Sequence, residues 1–102
     1  MTVIHIHKKT IIPSHRITVG YVHVTVDKTD VLVELDCPGS RPDDEFRCTV
    51  AEAREILKQN ERHMKTRGNF LCGVRGVTFR SYDLKDLVRA LRKALPNVAP
   101  TR

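Results

Sequence analysis

The sequence has no tryptophan, and its aromatics are limited to two tyrosines and three phenylalanines. Three cysteines, Cys37, Cys48 and Cys72, form an odd set, so a disulfide framework would leave one thiol unpaired. No C-x-x-C is present, which removes the strongest zinc and redox signals. No window approaches the roughly 20 apolar residues of a membrane helix. The first residues lack the apolar stretch of roughly 7–15 residues that a secretory signal needs, because His5 and His7 interrupt it. A cytoplasmic protein is therefore expected. Neither internal repeats nor low-complexity segments occur.

Acidic residues are missing from the first quarter of the chain. Over 1–26 the bases Lys8, Lys9 and Arg16 stand alone and give +3. Residues 27–61 carry ten acids and five bases, and residues 62–102 carry ten bases and two acids. The formal net charge of +6 thus hides a −5 middle and a +8 end. Hydrophobic residues at 40% argue against disorder, and a mean hydropathy of −0.33 suits a solvated surface. At 102 residues one domain is expected. Its predicted limits are 1–96, with 97–102 a flexible C-terminal tail.

Thr2 to Ile12 alternates as a strand, and Arg16 to Val26 alternates for longer, with Val22, Val24 and Val26 on one face. Asp27 to Asp30 is a turn cluster before the strand Val31–Leu35, which predicts a hairpin. Cys37 to Asp44, with two prolines and a glycine, predicts an irregular loop. Thr49-Val50-Ala51-Glu52 is a capping box opening a first helix, whose apolar side holds Val50, Ala53, Ile56, Leu57, Asn60 and Met64. Gly68 is its stop. Phe70 to Arg80 reads as one strand bulged at Gly76, in preference to a hairpin turned on Arg75-Gly76. A second helix is predicted from an Asp83 cap to Leu95, before Pro96. The order βββαβα predicts an α+β fold: a two-layer sandwich of a mostly antiparallel sheet of about four strands and two helices.

The second helix is the most informative element. Lys85, Arg89, Arg92 and Lys93 fall within an arc of about 100° beside its apolar stripe. Like charges at i,i+4 destabilise an isolated helix by about 0.2–0.5 kcal/mol per pair, so a face of one sign suggests a partner rather than stability. The first helix mixes its signs and reads as ordinary solvated surface. With Arg75 and Arg80 just ahead of it, the basic face is the candidate contact for phosphates or an acidic protein surface. Phe46, Phe70 and Phe79 fit a core by pattern, leaving Tyr82 and Tyr21 for stacking. That favours tracking a duplex backbone over gripping a single strand.

Other constellations are weaker. Gly73-Val74-Arg75-Gly76 matches the G-x-x-G backbone clamp of KH domains, but that clamp joins two helices and strand-like residues flank it here. His5, His7 and His23 can share a sheet face, yet no acid lies near in sequence to orient the imidazoles, so no metal site is expected. Cys48 stands before a helix N-terminus, where a thiolate is favoured, but packing suits it better. His23-Val24-Thr25 matches the H-x-T element of two-histidine phosphoesterases in one copy only. His15, Arg16, His63, Lys65 and Arg67 would suit a metal-independent ribonuclease, with nothing to fix their geometry.

The reading is a non-enzymatic binding module without a cofactor, contacting nucleic-acid backbone through Arg75, Arg80, Lys85, Arg89, Arg92 and Lys93. The alternative is a protein–protein adaptor or inhibitor of the kind carried by phages and mobile elements. Its edge strand, residues 2–12, would pair with a partner or a second copy as a homodimer.

Overall fold

The structure is a computed structural model and describes residues 15–38 and 44–95. The predicted strand 2–12, with His5 and His7, and the predicted tail 97–102 lie outside the described residues. The fold is α+β, with two α-helices and antiparallel sheets of four and two strands.

The four-stranded sheet has the order β1 (His15–Val19), β2 (Val22–Asp27), β3 (Asp30–Leu35) and β4 (Glu45–Thr49), each strand antiparallel to the next. The predicted long strand 16–26 is therefore two strands. Gly20 takes φ +58°, which only glycine adopts at little cost, and turns the chain so that Val19 faces Val22. Asp27 and Asp30 pair directly, which tightens the second turn to Lys28-Thr29. Residues 45–49, between the predicted loop and the first helix, form a full fourth strand with Val33 opposite Phe46.

Alternation dictates the core. Val22, Val24, Val26, Val31, Val33 and Leu35 point to one face with Phe46 and Cys48, all buried. Both helices cover that face. Helix α1 (Val50–Asn60) starts at the predicted capping box: Thr49 Oγ1 accepts from the Glu52 amide at 3.1 Å, and Glu52 Oε1 accepts from the Thr49 amide at 2.8 Å. It ends earlier than predicted, and a 3-10 turn at Glu61–Lys65 continues it.

The predicted bulged strand 70–80 is a hairpin instead, β5 (Leu71–Val74) and β6 (Val77–Arg80), forming a separate two-stranded sheet. Arg75 (φ 51°) and Gly76 (φ 86°) are both left-handed, the geometry of a type I′ turn. Its twist matches that of the paired strands, so the turn wins over the bulge. Helix α2 (Ser81–Ala94) packs across β1 and β2 and beside α1. It begins two residues before the predicted cap. Arg80 occupies the cap position without a side-chain bond to the helix's free amides, and Asp83 lies inside the first turn, buried.

Candidate functional site

Helix α2 is buried on most of its circumference. Ser81, Asp83, Leu84, Leu87, Val88, Ala90, Leu91 and Ala94 are all enclosed. Tyr82, Arg89, Arg92 and Lys93 are exposed, with Lys85 and Asp86 half-buried at the margin. A helix repeating every 3.6 residues gathers these six positions into one stripe. Lys85, Arg89, Arg92 and Lys93 thus share the only solvent-facing side of α2 among the described residues.

Neighbouring elements orient these cations. Lys85 Nζ donates to the Thr66 carbonyl at 2.8 Å. Arg92 donates through Nε and a terminal nitrogen to one oxygen of Glu61, at 3.2 and 2.9 Å. Arg89 pairs with Asp86 at 2.9 Å. Both arginine side chains remain about half exposed, at 50% and 48%. Pairs of this kind contribute about 0–1 kcal/mol, so a stronger anion displaces the carboxylate at little expense.

Lys85 and Arg92 also tie α2 to the segment following α1. That segment holds Arg62, Lys65 and Arg67, all exposed. The sequence offers Lys65 and Arg67 only beside the histidines of a ribonuclease-like set, and all three bases lie 18 or more residues before Lys85. The fold sets them beside the α2 stripe, which no local pattern reveals. The helical wheel places two further residues in the stripe. Tyr82 falls inside the cationic arc, and Asp86 sits at its edge and lowers its charge.

Arg75 and Arg80 occupy different positions. Arg75 is at the β5–β6 turn, where its guanidinium meets Glu52 at 2.9 Å at the start of α1, away from the stripe's own residues. The Thr49 amide and this guanidinium together hold the Glu52 carboxyl below the usual carboxylate range. Arg80 immediately precedes α2 and donates to the Tyr82 hydroxyl at 2.7 Å.

No family model matches the chain, and no curated protein or solved structure is significantly similar to it.

The weaker constellations resolve as follows. Gly73 to Gly76 spans the hairpin turn, so the KH-type clamp lacks its two helices. His23 sits on the sheet face opposite the helices, where Nδ1 hydrogen-bonds the Thr18 hydroxyl at 2.8 Å and Nε2 lies 3.9 Å from Asp36. Among the described residues no group of three or more potential metal ligands forms. His15 and His63 stand apart, the first on β1 with Nε2 near the Ala94 carbonyl, the second in the 3-10 turn beside Phe70. Cys48 is buried, and burial pushes its thiol up to about 11, which suppresses the thiolate. Asn60, an amide within an apolar stripe, donates to the Ile56 carbonyl of its own helix at 2.8 Å.

Two open cavities border the hairpin, and one of them reaches α2. One, about 390 Å³, lies between α1 and β5 and is lined by Asn60, Arg62, His63, Cys72 and Arg75 among others. The second, about 360 Å³, lies at the N-terminal end of α2 and is lined by Asn69, Phe70, Leu71, Arg80, Ser81 and Tyr82. Close to the latter, Asp83 is buried with neither carboxylate oxygen hydrogen-bonded among the described residues. Burial raises its pKa, Arg80 pulls it back in part, and Asp86 adds to the rise.

Proposed function

We propose that the protein is a small non-enzymatic module that binds the nucleic-acid backbone through the exposed stripe of α2. The observation that carries this reading is the division of α2: three sides build the core, and the remaining side holds Lys85, Arg89, Arg92 and Lys93. A stability role accounts for the buried sides and for the ties Lys85 and Arg92 make to the segment after α1, but it does not call for four cations on one side. Arg62, Lys65 and Arg67 on the adjoining segment extend the same field. Because α2 is locked by packing, its cations are presented without an ordering cost to the backbone. Arg80 stands at one end of the stripe, and Arg75 contributes only to the wider field.

A gel-shift titration at two salt concentrations tests the reading. If the four stripe residues each neutralise one phosphate, log K falls against log salt with a slope of about −3 to −4. Changing Lys85, Arg89, Arg92 and Lys93 together to glutamate abolishes the shift. Absence of binding near about 50 mM salt, or binding with no salt slope, overturns the reading. A complex recovered from lysate that survives nuclease treatment marks the adaptor or inhibitor alternative instead.

A further inference from the structure

The cavity at the N-terminal end of α2 combines features that the backbone-binding stripe does not use. Among the described residues the large hydrophobics most open to solvent are Tyr21, Leu71 and Tyr82, and two of these line this one cavity. Leu71 is 72% exposed, at the start of β5, where nothing in the fold requires an apolar side chain. Phe70, which the sequence pattern assigns to the core, is only half-buried and lines the same space. An aliphatic and two aromatic side chains thus converge on a cavity of about 360 Å³, within the range of small-ligand sites of about 300–1,000 Å³.

Its polar groups are equally selective. Arg80 holds the phenol end of Tyr82 through the 2.7 Å bond and brings a guanidinium to the rim. Asn69 adds an exposed amide that both donates and accepts. Tyr82 also belongs to the cationic stripe, three residues before Lys85 and seven before Arg89. At about 1.5 Å per residue the stripe runs about 16 Å from the cavity to Lys93. A ligand seated in the cavity therefore continues onto a row of cations, and needs a flat apolar body joined to a polyanion.

We propose that this cavity receives an unpaired nucleobase of a single-stranded nucleic acid whose phosphates run along α2. The inference rests on the backbone-binding reading and adds to it the strandedness of the partner. Tyr82 and Phe70 supply aromatic surface, Leu71 closes the apolar wall, Asn69 meets the base edge, and Arg80 meets the adjoining phosphate. This reverses the expectation that a scarcity of aromatics favours a duplex: two rings are enough where they border one cavity. An acidic peptide would satisfy the cations, but it would need an aromatic residue placed beside its acidic run to fill the cavity as well.

Fluorescence anisotropy separates the possibilities, using a short labelled single strand, the duplex of the same sequence, and the same strand bearing abasic residues, each as DNA and as RNA. The single strand binds more tightly than the duplex, and abasic residues weaken it. Tyr82→Ala and Leu71→Ala each weaken single-strand binding about tenfold, the scale of one base–aromatic contact. Circular dichroism shows whether each variant is folded, and Tyr82→Phe, which keeps the ring but loses the Arg80 bond, weakens binding less than Tyr82→Ala. Equal affinity for the single strand, duplex and abasic strand refutes the base site while leaving backbone binding standing. Failure of all three to bind at low salt refutes both.

Discussion

Replacing Asp83 with asparagine isolates the energetics of the α2 N-terminus. The wild-type side chain is 1% exposed, and both carboxylate oxygens lack hydrogen-bond partners among the described residues. An unpaired buried polar group costs about 1–3 kcal/mol, and more when charged. Two effects oppose that penalty. The helix dipole favours an anion in the first turn by about 0.3–1 kcal/mol, and Arg80 favours the carboxylate through its guanidinium charge and, more weakly, its nearby backbone amide. The carboxyl pKa is nevertheless raised, so desolvation prevails. Asp83→Asn keeps the shape and removes the charge, and at pH 7 it should stabilise the fold by about 1 kcal/mol. An acid with a raised folded pKa binds its proton more tightly when folded. Its contribution is therefore most favourable below the unfolded value of about 3.9 and declines as pH rises through the folded pKa. The advantage of the variant should be large at neutral pH and shrink as the wild type becomes protonated. Urea denaturation of both proteins at about pH 4 and about pH 7 measures the difference. A variant less stable than wild type at neutral pH, or a gap independent of pH, would refute the account.

Three further outcomes are expected. Gly20→Ala lowers the urea midpoint, because φ +58° is left-handed and a Cβ there meets the Asp86 carboxylate; the backbone term alone is about 1–2 kcal/mol. Thr49→Ala removes the capping box of α1 and costs about 1 kcal/mol in the same assay, and an unchanged midpoint would contradict the cap. Under native conditions at about pH 8 a thiol-reactive label modifies the half-buried Cys37 and Cys72 before Cys48, as read by mass spectrometry, and prior labelling of Cys48 would contradict its burial.

The α+β class, both helices and the valine face of the sheet were legible in the sequence because each rests on local periodicity or a local cap. Thr49 and Glu52 are three residues apart and need no other element to meet. The hairpin turns at Gly20 and Arg75-Gly76 were not legible in that way, although the sequence carries a sign of them. A two-residue turn shifts the parity of inward positions. Ile17 and Val19 give way to Val22, Val24 and Val26, and Cys72 and Val74 give way to Val77 and Phe79. Uniform β-rich composition across each turn masked the shift, and an arginine at the first turn position of Arg75-Gly76 disguised a site usually occupied by asparagine or glycine. The cationic stripe of α2 was legible for the same local reason as the helix. Its neighbours Arg62, Lys65 and Arg67, and the cavity walled by Leu71 and Tyr82, depend on packing between distant segments.

The enclosure of α2 makes that helix a double record. Seated against the sheet, the 3-10 turn and the hairpin, it cannot roll to offer a different row of side chains. In a saturation scan of residues 81–94, folding yield should tolerate change in a helical rhythm at 82, 85, 86, 89, 92 and 93, and reject it between. Those tolerant sites are where selection for a partner would act unhindered by selection for the fold. The same rigidity makes the helix a fixed ruler, whose spacing of charges a partner must match because the protein cannot adjust it.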